Sequence, residues 1–147
     1  MSKGVYTLLI KLDKPRTITI GKLGKISFPA GYYTYVGSAL NGLESRIDRH
    51  LKKGKVLHWH IDYLLQKARI EEVIYCLTEK GKECAIALQL DHKLKPIPHF
   101  GCSDCRCVSH LYFCKDKYSL RKTIKDSFKK SGLIPYICKE DISRKLL

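Results

Sequence analysis

The chain has 147 residues, with 28 Lys and Arg against 14 Asp and Glu, for a net charge of +14. That length fits one domain with its own core. The charge favours a polyanionic partner, nucleic acid before an anionic membrane, over a surface merely coated with lysine. No uninterrupted apolar run approaches the length of a bilayer span, and the run at 5–10 is closed by Lys11 and Asp13, so neither a membrane helix nor an export signal is expected. The seven cysteines, an odd number, are then expected as reduced thiols in a cytoplasmic protein.

A strand is predicted over Gly4–Leu12, followed by a hairpin of residues 16–20 and 25–28 about a Gly-containing turn at 21–24. Aromatic and small residues alternate over 32–36, a strand that ends at a Gly37-Ser38 turn. A helix over 43–52 puts Leu43, Ile47 and Leu51 on one stripe and Arg46 and His50 side by side on another. After His58-Trp59-His60 comes a helix over 61–67, then a β-branched strand over 70–77 and a short Ala/Leu helix over 83–90. Pro96 and Pro98 interrupt the chain before a cysteine-rich turn. A strand over 108–113 and an amphipathic helix over Lys117–Lys130, with Leu120, Ile124 and Phe128 on one face, complete the order. The expected fold class is α/β: one domain over 1–135, a mixed β-sheet flanked by helices with an extra β-hairpin between two tyrosine-bearing strands, and a C-terminal tail over 136–147.

Three constellations carry chemistry. In the first, the tyrosine strand feeds the basic helix, an arrangement suited to holding a phosphodiester. Hydrolysis there needs an activated water, stabilisation of charge on the phosphoryl oxygens and help for the leaving oxygen; one hard cation on a single carboxylate can serve. The second is His58-Trp59-His60 with Asp62 and Tyr63. Asp62 can complement the exposed amides of a helix start or pair with a histidine in support of a site. Trp59 is either a core anchor or a stacking surface for an unpaired base, and the histidines either support the site or satisfy buried hydrogen bonds. The third is Cys102-x-x-Cys105-x-Cys107-x-x-His110. Its three thiols and imidazole have the chemistry of a structural Zn²⁺ site in an interaction domain, against packed reduced thiols or a reactive cysteine. Basic residues also run along the last helix, from Lys115 and Lys117 through Arg121 to Lys129 and Lys130, and are expected to face outward. Of these, Lys122 and Lys125, together with Arg49, Lys52 and Lys53, are candidate nucleic-acid contacts, which give salt-sensitive affinity without reading sequence.

Taken in order, Gly4-Val5-Tyr6, Tyr35-Val36-Gly37, the helix bearing Arg46 with His50 one turn on, and Glu83 at the head of Glu-Cys-Ala-Ile-Ala-Leu resemble the motif set of the GIY-YIG nuclease superfamily. Gly42-Leu-Glu-Ser-Arg46 with Arg49-His-Leu51, the block from His58 to Tyr63, and Ser103-Asp-Cys-Arg-Cys-Val-Ser-His-Leu111 narrow the likeness to a prokaryotic family, some of whose members are fused to endonuclease III-like glycosylases. The resemblance implies metal-dependent phosphodiester cleavage of nucleic acid, DNA before RNA, in a repair setting with a repair-protein partner. It implies Mg²⁺ or Mn²⁺ on Glu83, charge stabilisation by Arg46, Tyr6 or His50 as proton acceptor, and Tyr35 orienting phosphate or water. His58, His60, Asp62 and Asp104 would support them. Two departures stand out. Tyr6 and Tyr35 are far apart in sequence, which the extra hairpin can absorb while leaving their strands neighbours. No asparagine follows the glutamate helix, where the chain reads Lys93 to Ser103 and then Asp104. A non-catalytic DNA- or RNA-binding module of the same fold is therefore the alternative. One residue at a time, plainer readings also stand: half-buried strand tyrosines, a solvated Arg46–His50 face, and a glutamate complementing a helix dipole.

Overall fold

The computed structural model describes residues 2–138. The chain runs through β1 (Gly4–Leu12), β2 (Arg16–Ile20), a 3-10 turn (Gly21–Leu23), β3 (Gly24–Phe28) and β4 (Gly31–Ala39). It continues through α1 (Leu43–Leu51), α2 (His60–Leu65), β5 (Arg69–Leu77), α3 (Glu83–Asp91), β6 (Lys95–Pro96), β7 (Leu111–Cys114), α4 (Lys117–Lys130) and β8 (Tyr136–Cys138). Six strands form one sheet in the order β6-β7-β4-β1-β5-β8, and β2 with β3 forms a separate hairpin. The expected α/β domain with its extra hairpin is present, and the sheet, expected to be mixed, pairs antiparallel throughout.

β1 is the central strand because its Val, Leu and Ile residues can be buried on both faces. Its alternation divides the core in two. Tyr6, Leu8, Ile10 and Leu12 pack with α1, α2 and the hairpin, which buries Ile20 and Phe28 in the same cluster. Val5 and Leu9 pack with Ile86 and Leu90 of α3 and Leu120, Ile124 and Phe128 of α4. The start of α4 is set by Asp116, whose carboxylate accepts from the Ser119 amide at 2.8 Å.

Several boundaries shift by a residue or two from the sequence expectation, and four larger departures each have a long-range reason. β4 does not end at Gly37-Ser38; it runs on to Ala39 because Gly37 and Ser38 lie opposite Tyr6 and Val5 of β1. The strand expected over 108–113 begins only at Leu111, where pairing with Tyr35 starts. Pro96, expected only as a breaker, sits in the two-residue edge strand β6, where a missing donor costs little. Tyr136–Cys138, placed in the tail by sequence, forms the edge strand β8 against β5; residues 139–147 lie outside the described residues.

The pairing of β1 with β5 slips between Leu9 and Ile10, leaving Glu71 unmatched in the register. Both Glu71 and Glu72 consequently reach α4. Lys117 Nζ lies 2.9 Å from Glu71 and 3.7 Å from Glu72, and Arg121 binds Glu72 through both of its edges. The outward basic surface expected along α4 therefore excludes Lys117 and Arg121, which are drawn back onto the sheet. Among the described residues no helix is long and apolar enough to cross a membrane.

Candidate active site

The β1–β4 register sets Tyr6 directly across from Gly37. A Cβ at Gly37 would lie 2.4 Å from both the Tyr6 hydroxyl oxygen and its Cζ, so only glycine admits the ring here. The Tyr6 hydroxyl reaches His50 Nε2 at 2.6 Å. The plainer reading of a solvated Arg46–His50 face does not hold for His50, which is 2 % exposed and in ring contact with Tyr6, Tyr35 and Trp59. The cause is helical geometry: α1 turns Leu43, Ile47 and His50 inward together.

Burial pushes the Tyr6 hydroxyl well above the usual phenol range, against the lowering effect of the nearby Arg46 charge and its hydrogen bond. Burial, reinforced by the Lys55 and Arg46 charges, holds His50 down to about 3. Both groups are therefore neutral near pH 7. Where the phenol donates to His50 Nε2, the imidazole's own proton sits on Nδ1. That Nδ1 is buried and has no partner among the described residues.

In front of this pair lies a cleft of about 560 Å³, whose walls include Tyr35, Arg46, Trp59, Glu83, Asp104 and His110. Tyr6 and His50 are not on its wall. Arg46 is fixed there by donating from Nη1 to the Ser38 carbonyl at 2.9 Å. Glu83, from the first turn of α3, has its carboxyl pushed up by burial and by Asp104, with Arg46 opposing. Arg46 and Glu83 thus share one cleft without forming a contact ion pair.

The His58–Tyr63 block resolves into separate tasks. Asp62, fully buried, satisfies the start of α2 by accepting from the His58 and Trp59 amides at 2.8 and 2.9 Å. Its other partner is Arg49, bound through two bonds of 2.9 Å, and no histidine ring pairs with it. Burial alone would raise the Asp62 carboxyl; Arg49 and the two amides outweigh that and hold it down to about 2. Arg49, a candidate phosphate contact by sequence, is thereby committed to Asp62. Trp59 is half-buried, with the Arg46 and Arg49 guanidinium carbons 4.6 and 4.3 Å from its ring. His60 Nδ1 accepts from the Gly101 amide at 2.8 Å, so it anchors the cysteine loop, whereas His58 is exposed at the cleft. Lys52 and Lys53 are exposed at the end of α1, while Lys122 and Lys125 sit on α4 in the opposite layer.

The cysteine loop supplies a second centre with a different membership from the sequence expectation. Cys84, Cys105, Cys107 and His110 bring their donor atoms within 4.8 Å of one another and could hold a metal ion. Cys102 is not in the set: its thiol turns to the Val108 carbonyl at 3.8 Å. Cys84, at the start of α3, takes the fourth position. Local spacing could not find it, since it comes from a helix packed against the loop. Cys105 and His110 also line the cleft, so the cluster forms part of its wall.

A family model described as a domain of unknown function, DUF123, matches residues 5–133. The chain belongs to the DUF123 family. No curated protein and no solved structure matches it. The DUF123 match spans β1 to the end of α4 and so takes in the Tyr6–His50 pair, the cleft and the Cys84 cluster alike.

Proposed function

We propose that this protein is a metal-dependent phosphodiester hydrolase of GIY-YIG type acting on nucleic acid, DNA before RNA, in a repair setting. The observation that carries the reading is the opposition of Arg46 and Glu83 in one open cleft without ion pairing. A guanidinium and a carboxylate held apart contribute little to stability, but they suit a phosphate and a cation between them. Support also comes from the pairing of the Tyr6 and Tyr35 strands despite the intervening hairpin, and from the net charge of +14.

Glu83 and Asp104 fit a hard divalent cation, Mg²⁺ or Mn²⁺, because two crowded carboxyls raise the cost of ionisation that a cation removes. When bound, the cation supplies Lewis acidity at the phosphoryl oxygens and a nucleophile at neutral pH. Arg46, oriented by Ser38, meets the charge that develops on those oxygens with a planar fork that lysine lacks. Tyr35, on the cleft wall, orients the phosphate. Tyr6 and His50 act from behind as positioning residues: their hydrogen bond holds the neutral phenol beside the Arg46 guanidinium. Lys52 and Lys53 add salt-sensitive contacts to flanking phosphates.

The test is cleavage of labelled single-stranded, duplex, flapped and branched DNA, and of RNA, with Mg²⁺ or Mn²⁺. Metal-dependent cutting by the wild type that is lost in Glu83→Ala is expected. Tight, salt-sensitive binding with no cutting would make the protein a non-catalytic binding module instead.

A further inference from the structure

We propose that Cys84, Cys105, Cys107 and His110 form a closed tetrahedral Zn²⁺ site that pins the 101–110 loop to the start of α3. Two observations meet here. The first is the donor geometry. With zinc–sulfur bonds of about 2.3 Å and zinc–nitrogen bonds of about 2.0 Å, a tetrahedral site needs donor separations of roughly 3.5 Å between S and N, and roughly 3.8 Å between two S atoms. His110 Nε2 lies 3.5 Å from Cys105 Sγ and 4.0 Å from Cys84 Sγ, and all four donors fall within 4.8 Å. Three thiols and one imidazole at that spacing select a soft or borderline tetrahedral ion and leave no position open for a substrate.

The second observation is that the loop has little else to hold it. Its neck is bonded, His99 N to Val108 O and His110 N to Phe100 O, both at 2.8 Å, and Gly101 is tied to His60. Among the described residues no backbone hydrogen bond ties residues 103–107 to another element. Their side chains at the cluster are what joins them to α3. An ion there would cross-link two segments about twenty residues apart, a long-range constraint that a reduced thiol cluster cannot supply.

The consequence reaches the cleft. Cys84 is the neighbour of Glu83, and Cys105 the neighbour of Asp104. A zinc clamp on the two cysteines fixes the backbone from which both cleft carboxyls project. This last step rests on the nuclease reading for its meaning; the metal site does not.

The test uses the reduced full-length chain and needs no cleavage assay. Metal analysis after expression in zinc-supplemented medium is expected to give about one zinc per chain. Replacement by Co²⁺ is expected to give the intense visible absorption of a tetrahedral thiolate site. Cys84→Ser is expected to lose that spectrum, whereas Cys102→Ser keeps it. Absence of a tetrahedral thiolate spectrum in the Co²⁺-titrated wild type would overturn the site without any variant having to fold. Equal retention of the spectrum in Cys84→Ser, or its loss only in Cys102→Ser, would overturn the assignment. Hydrogen exchange then reads the clamp: on chelation the amides of 101–110 are expected to exchange at least about tenfold faster while β1 and β4 stay protected. Unchanged exchange in the loop, or loss of protection throughout the sheet, would refute a local clamp.

Discussion

Replacing His50 by Gln should change how stability depends on pH. Buried His50 is held at about 3 against an ordinary 6.5, so the unfolded chain binds a proton that the native chain refuses. The native pKa is depressed; its contribution is therefore complete above about pH 6.5 and lost as pH falls toward 3, at about 1.4 kcal/mol per pH unit. Between about pH 7.5 and about pH 5 only the lower 1.5 units or so count, which gives a loss of about 2 kcal/mol from this group alone. Urea unfolding of wild type and His50→Gln at those two pH values is the assay, and groups titrating equally in both proteins cancel in the difference. The wild type should lose about 2 kcal/mol more than the variant on acidification. Losses equal to within about 0.5 kcal/mol would refute a buried neutral imidazole behind the cleft.

Gly37→Ala should lower stability by about 1–3 kcal/mol, because its Cβ would sit 2.4 Å from the Tyr6 ring; an unchanged urea midpoint would contradict the close approach. Arg49→Ala should cost about 3 kcal/mol by leaving buried Asp62 without its cation, the low end for such pairs because Arg49 is partly exposed and water can follow. Fluorescence-monitored unfolding checks this, and a loss below about 1 kcal/mol would mean that the pair is not stabilising. Replacing Lys52 and Lys53 together by Ala should reduce the slope of log affinity against log salt by about 2 on duplex DNA while leaving stability nearly unchanged.

Much of the framework was legible locally. β1 and α4 match their predicted bounds, since a long β-rich apolar run and a 3.6-residue apolar stripe carry their own signals. What escaped was decided by partners distant in sequence. Gly37 reads as a turn residue, yet its glycine is required by a tyrosine ring on another strand. His50 lies one turn from Arg46, so local spacing places the two side by side, but the helix buries His50 against Tyr6 and leaves Arg46 alone on the cleft wall. Of the two roles open to Asp62 in the sequence, the structure shows the helix-start one and not the histidine pair, while Arg49 as its partner depends on how α1 packs on α2. Cys84 stood outside a compact cysteine motif and was brought to it by α3. Lys117 and Arg121 looked solvated until the irregular pairing of β5 presented Glu71 and Glu72 to them.

The most direct test of the proposed chemistry separates binding from cleavage at Arg46. Single-turnover cleavage of the best substrate, with enzyme saturating and Mg²⁺ present, is compared for wild type and Arg46→Ala alongside the affinity of each for the same nucleic acid. If Arg46 meets charge that develops on the phosphoryl oxygens, the rate should fall by about 100-fold or more while affinity changes only a few-fold. A rate within a few-fold of wild type, or a loss of affinity that accounts for the whole effect, would contradict the account.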